Sequence, residues 1–143
     1  MNTIGFAITP KFPITDKFFT LDANNTAESI LPECKQKLKA TLQNYIKNID
    51  NSAKNIRFHI PHFSVNDFDQ KTKTIGTMAG CAIDIFWDTE NETLPHIDTH
   101  RIENYLTETF GTKITTNTHD FIPAEKIDAS QFYIFDILDM ESA

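Results

Sequence analysis

Two stretches with a helical period divide a chain whose other apolar residues alternate in twos, and that succession limits the folds open to it. From Pro32 to Ile49 the apolar residues Leu38, Leu42, Tyr45, Ile46 and Ile49 recur at three and four, with Lys35, Lys37, Lys39 and Lys47 largely on the other side. This spacing predicts an amphipathic helix, and Pro32 suits its first turn, where the amides have no partner in any case. The second stretch covers roughly Asp98 to Phe110, with Ile102, Tyr105, Leu106 and Phe110 inward. Gly111 follows, where a left-handed helix terminus favours a residue without Cβ.

The rest reads as strands and loops. Residues 3 to 9 put Ile4, Phe6 and Ile8 on one face of a half-buried strand. Residues 56 to 65 alternate as Ile56, Phe58 and Ile60, then, after Pro61, as Phe63 and Val65, a change of parity that argues a bulge or an edge position. NDFDQKTK is a polar turn, and residues 74 to 88 form one long strand with Cys81, Ile83, Ile85 and Trp87 on a face, able to bend at Gly76 and Gly80. These two stretches are expected to pair as a hairpin. A short strand is expected at Phe18 to Leu21, a polar break at Asn24 to Thr26, another short strand in KITTNT, and an ordered loop in HDFIPAEKIDAS. Gln131 to Met140 reads as a strand covered on both faces.

The order strand, helix, strand, strand, helix, strand predicts an α+β fold. It is that of a split βαβ (ferredoxin-like βαββαβ) arrangement, with an antiparallel or mixed sheet, two helices on one face and small insertions. At 143 residues, 40% apolar and with 12 Phe, the chain is sized for a single globular domain over residues 1–143 with a substantial core. Cys34 sits in a helical pattern and Cys81 in a strand pattern, with no Cys-x-x-Cys pair, so both are expected as buried free thiols in a reducing compartment. MNTIGFAITPKF has no basic start and no apolar run of signal length, and no apolar stretch is long enough to cross a membrane; a cytoplasmic protein is expected.

The net charge of −7 is unevenly spread. Residues 1 to 75 hold ten bases and seven acids, whereas residues 76 to 143 hold three bases (Arg101, Lys113, Lys126) and thirteen acids, a balance of −10. Such a half-chain repels polyphosphate, which argues against nucleic acid as a direct ligand and for a basic protein surface as partner.

The acids and histidines crowd in DTENETLPHIDTH, residues 88 to 100. If a helix began near Thr93, His96 and His100 would lie four apart on one face and could share a metal. If Asp98 is the cap, His96 precedes the helix and the pair splays apart, and the cap alone accounts for Asp98 at ~1 kcal/mol. No cofactor or metal is therefore expected. His119-Asp120 is a bare dipeptide, and His59 and His62 stand at odd separation on either side of Pro61.

His62-Phe63-Ser64-Val65 resembles one half of the two-histidine phosphoesterase motif, in which two such strands place two histidines across a phosphodiester while hydroxyls hold its oxygens. The resemblance implies a second copy, which the chain does not supply: His96, His100 and His119 are followed two positions on by Asp98, Ile102 and Phe121. There is also no Gly-x-Ser-x-Gly and no phosphate-binding glycine loop, so an enzyme is not expected.

The expectation is a small acidic inhibitor or immunity protein that covers a basic toxin or effector acting on nucleic acid. The expected contact residues are Asp88, Glu90, Glu92, Asp98, Glu103 and Glu108, with Trp87 and Tyr105 as aromatic anchors. A histidine- or metal-dependent hydrolase and a non-catalytic subunit of a larger assembly are the competing readings.

Overall fold

A computed structural model describes residues 2–59, 63–69, 74–119 and 141–142. Among the described residues the fold is α+β, with small antiparallel sheets and two helices. Its strands are β1 (Asn2–Ile8), β2 (Lys11–Pro13), β3 (Phe19–Leu21), β4 (Ala27–Ile30), β5 (Lys54–His59), β6 (Phe63–Asp69), β7 (Thr74–Cys81), β8 (Ile83–Thr89), β9 (Thr118–His119) and β10 (Glu141–Ser142). The helices are α1 (Pro32–Ile49) and α2 (Thr99–Phe110). The largest sheet runs β10-β5-β8-β1-β9, a second runs β2-β7-β6, and β3 pairs with β4.

Both helices form where their sequence stops and starts them. Pro32 opens α1 after an extended Leu31. The Asp98 carboxylate accepts the Arg101 amide to cap α2, whose other end closes at Gly111, φ 68°, with its amide on the Thr107 carbonyl at 2.9 Å. Ile97 before the cap and Ile102 in the first turn both join the core, the apolar staple that fixes the angle of entry.

The core lies where the two periods meet. Ile4, Phe6 and Ile8 of β1, Ile83, Ile85 and Trp87 of β8, and Ile56 and Phe58 of β5 form one apolar cluster with Leu38, Leu42, Tyr45 and Ile46 of α1 and Ile102 and Leu106 of α2. The β1–β8 register sets Ile4 against Trp87, Phe6 against Ile85 and Ile8 against Ile83, so a single parity faces inward across both strands. Phe12 and Phe18 extend this cluster and meet Phe110 at centroid separations of 5.1 and 6.0 Å, tying the N-terminal insertion to the end of α2.

Three sequence expectations change. The long strand over residues 74 to 88 is two strands: β7 pairs with β2 and β6, and β8 pairs with β1 and β5. NDFD, read as a turn, is the second half of β6. The break after Leu21 is a tight turn leading into an unexpected strand, β4, with the Asp22 carboxylate accepting the amides of Asn24 and Thr26 at 2.8 and 2.9 Å. The strand expected at Gln131 to Met140 and the loop before it lie outside the described residues, as does the proline at 61.

Gly5 faces Phe86 across the β1–β8 pair, and a Cβ there would collide with the Ile85 carbonyl oxygen and the Phe86 ring. Gly5→Ala should therefore lower the unfolding free energy by about 1–3 kcal/mol in denaturant titration, the usual cost of overpacking. A midpoint equal to wild type would show that the strands can part without cost.

Candidate functional site

The C-terminal end of α1 is built around a carboxylate. Asp50 is 3% exposed, and burying an ion so fully is tolerable only when its lone pairs are filled. Here the Trp87 indole N–H donates to Oδ2 at 2.9 Å and the Thr89 hydroxyl donates to the same oxygen. Ser52 donates both its amide, at 3.0 Å, and its hydroxyl, at 2.7 Å, to Oδ1. Burial pushes the Asp50 carboxyl upward, but the donors from Thr89, Trp87 and Ser52 outweigh it and hold the group below its ordinary value.

From this knot the chain leaves β8 and crosses to α2 without regular structure over residues 90–98. Leu94 and Ile97 pack against the core, while Glu90, Glu92, His96 and Asp98 face solvent. Asp98 begins α2, so His96 lies before the helix and His100 inside it. Among the described residues, no three His, Cys, Asp or Glu side chains gather to hold a metal ion.

A second polar cluster lies on the opposite face of the sheet. Asp88 accepts from Thr3 at 2.8 Å, from Asn55 at 2.9 Å and from the Arg57 guanidinium at 2.8 Å. Burial raises its carboxyl, and the Asn55 and Thr3 donors with the Arg57 charge bring it below the usual range. Asn55 reaches Asp88 from a left-handed backbone, φ 54°, at the bulge where β5 shifts register against β8. Two residues along β5 from Arg57 and four back along β8 from Asp88, His59, 2% exposed, sets Nδ1 3.3 Å from Asp84 Oδ2.

The expected contact residues thus divide. Glu90, Glu92, Asp98 and Glu108 are exposed. Asp88 is committed to Thr3, Asn55 and Arg57 on the far face, and Glu103 accepts the Thr116 amide at 2.9 Å, pinning α2 to the following segment. Tyr105 is half-buried, its ring edge-on to Tyr45 at 6.3 Å and covered by the Arg101 guanidinium at 5.4 Å. Trp87 is a correction: it is 0% exposed, packs edge-on against Phe6 at 5.9 Å and spends its N–H on Asp50, so it anchors the core and reaches no partner.

Sequence reasoning passed over Asp50 and Ser52 and weighed His59 only against His62. The local signal for the first two was a helix-ending Asp followed two positions later by Ser, a spacing that closes a side-chain turn. His62 lies outside the described residues; the backbone of His119 pairs with Ala7 in β9. Cys34 and Cys81 are buried and unbridged. No helix among the described residues is long and apolar enough to cross a membrane.

No protein-family model matches the chain, and no curated protein matches it. Among solved structures it is similar to a hydantoinase/carbamoylase family amidase from Burkholderia ambifaria, at 11% identity and a TM-score of 0.37, covering 93% of this chain. The chain spans 31% of that amidase, and a superposition so loose says nothing of what this chain does.

Asp50 and Asp88 both bind their protons less tightly when folded than their ordinary 3.8. Their stabilisation is complete above that unfolded value and is lost as pH falls from it through the lower folded values. Asp50→Asn should cost on the order of 2–4 kcal/mol at neutral pH and flatten the loss of stability below pH ~4. Denaturant titrations from pH 7 to pH 2 check this; curves for the two proteins that stay parallel would show that Asp50 carries none of the acid response.

Proposed function

We propose that the protein is a small acidic inhibitor or immunity protein that neutralises a basic toxin or effector, one acting on nucleic acid, by covering its active or binding surface. The observation that carries this reading is the outward placement of Glu90, Glu92, Asp98 and Glu108, none of which meets a cation among the described residues. Three of the four belong to one short segment. A protein that cleaves nucleic acid must present bases to hold phosphate, and carboxylates aimed at those bases speed encounter and select the partner. Tyr105, held by Tyr45 and Arg101, is the aromatic anchor in this reading, because a pre-packed ring loses little freedom on binding.

Cytoplasmic residence belongs to the same proposal and draws support from the two free thiols. The split βαβ assignment also belongs here. Its support is the neighbour order β9, β1, β8, β5 in the large sheet, with antiparallel pairing at each step.

The test is capture from the source cell by wild type beside a Glu90→Gln, Glu92→Gln, Glu108→Gln variant. Asp98 is left in place because it caps α2. The expected result is one basic protein recovered by wild type and lost, by tenfold or more in yield, by the variant. Equal recovery by both baits, or no basic protein on either, contradicts the proposal.

A further inference from the structure

We propose that residues 90–98 form a strap, latched at one end by two hydroxyls that the ionised Asp50 orients and hinged at the other on Tyr45. Both Asp50 oxygens accept protons from hydroxyls, Ser52 on Oδ1 and Thr89 on Oδ2. With those protons drawn inward, the lone pairs of both hydroxyls are left for donors from the strap. Two successive amides take them: Glu90 N–H donates to Ser52 Oγ at 3.1 Å and Asn91 N–H to Thr89 Oγ1 at 3.1 Å. The Asn2 side-chain amide adds a third tie, donating to the Asn91 carbonyl at 2.8 Å.

The far end is held differently. The Asp98 amide donates to the hydroxyl of Tyr45 at 2.9 Å, and Tyr45 is 2% exposed. Leu94 and Ile97 are packed against the core just before it. Residues 90 to 93, by contrast, are all exposed. The strap therefore opens from the Ser52 end, where water can replace each lost bond, and pivots where apolar side chains and a buried phenol hold it.

The latch depends on charge as well as position. Ser52 Oγ and Thr89 Oγ1 lie 2.9 Å apart, and because a carboxylate only accepts, it draws their protons toward itself and away from the strap. A carboxamide at the same place would also offer N–H groups, which take a hydroxyl lone pair and leave that hydroxyl's proton to turn toward the strap amides. Glu90 and Glu92, two acids of the proposed contact surface, ride on the latched half. That opening the strap weakens partner capture rests on the inhibitor reading; the latch itself does not.

Amide hydrogen exchange on the full-length protein, resolved by residue, tests the latch without any partner. In Ser52→Ala the Glu90 amide should exchange about tenfold faster, as expected for one lost hydrogen bond, through a local opening that low denaturant does not speed, with the Asp98 amide unchanged; Ile85 in the core reports separately the stability lost with this donor to Asp50. Ser52→Thr, which keeps the hydroxyl, should return Glu90 to the wild-type rate. Unchanged Glu90 exchange in Ser52→Ala overturns the proposal, and so does a Glu90 acceleration that rises with denaturant in step with Ile85, which would make Ser52 a contributor to global stability alone.

Discussion

The buried carboxylate of Asp50 is the point at which the separate parts of this protein are joined. It ends α1, takes the indole proton of the largest core side chain, Trp87, and orders the hydroxyls at the end of β8 and in the turn before β5. An isolated carboxylate so placed would cost several kcal/mol, and only a full set of donors makes the position favourable. Because those donors come from β8 and from the turn after α1, the carboxylate fixes how α1, that turn and β8 sit together. An apolar residue of the same size would fill the space without specifying that arrangement.

The acids of the C-terminal half therefore do two kinds of work. Asp88 and Glu103 are turned to the structure, one neutralising Arg57 on the sheet face opposite the helices and the other receiving the Thr116 amide. Asp98 does both, capping α2 while remaining exposed. Glu90, Glu92 and Glu108 have no such internal duty among the described residues and face outward. Net charge alone does not separate these roles, since a carboxylate counts equally toward −7 whether it faces a guanidinium or water.

Much of the fold was legible because its signals are local. Pro32, Asp98 and Gly111 mark helix ends by backbone chemistry that needs no tertiary context, and α1 spans the residues its apolar period covers. The first strand reads from Ile4, Phe6 and Ile8 for the same reason. The division of residues 74 to 88 into β7 and β8 was hidden because alternation continues at the same period on either side of Ala82, and only pairing partners distinguish the two sheets. β4 was missed because Glu28 and Ser29 interrupt its apolar face. The role of Trp87 was not legible at all: its period fits a strand face, but whether that face meets a helix or a partner is decided by Asp50, which is distant in sequence. The same separation concealed the Asp50 knot, while the exposed acids could be read directly as a charged run.

The proposed role requires that this acidic segment, held by the Asp50 knot, meet a cationic protein surface. The most direct test is the ionic-strength dependence of the association rate between the purified protein and the partner that capture identifies. The account predicts a rate that falls steeply as salt rises from low to physiological levels, with dissociation changing far less, because screening acts on encounter between opposite charges. An association rate indifferent to salt would contradict it.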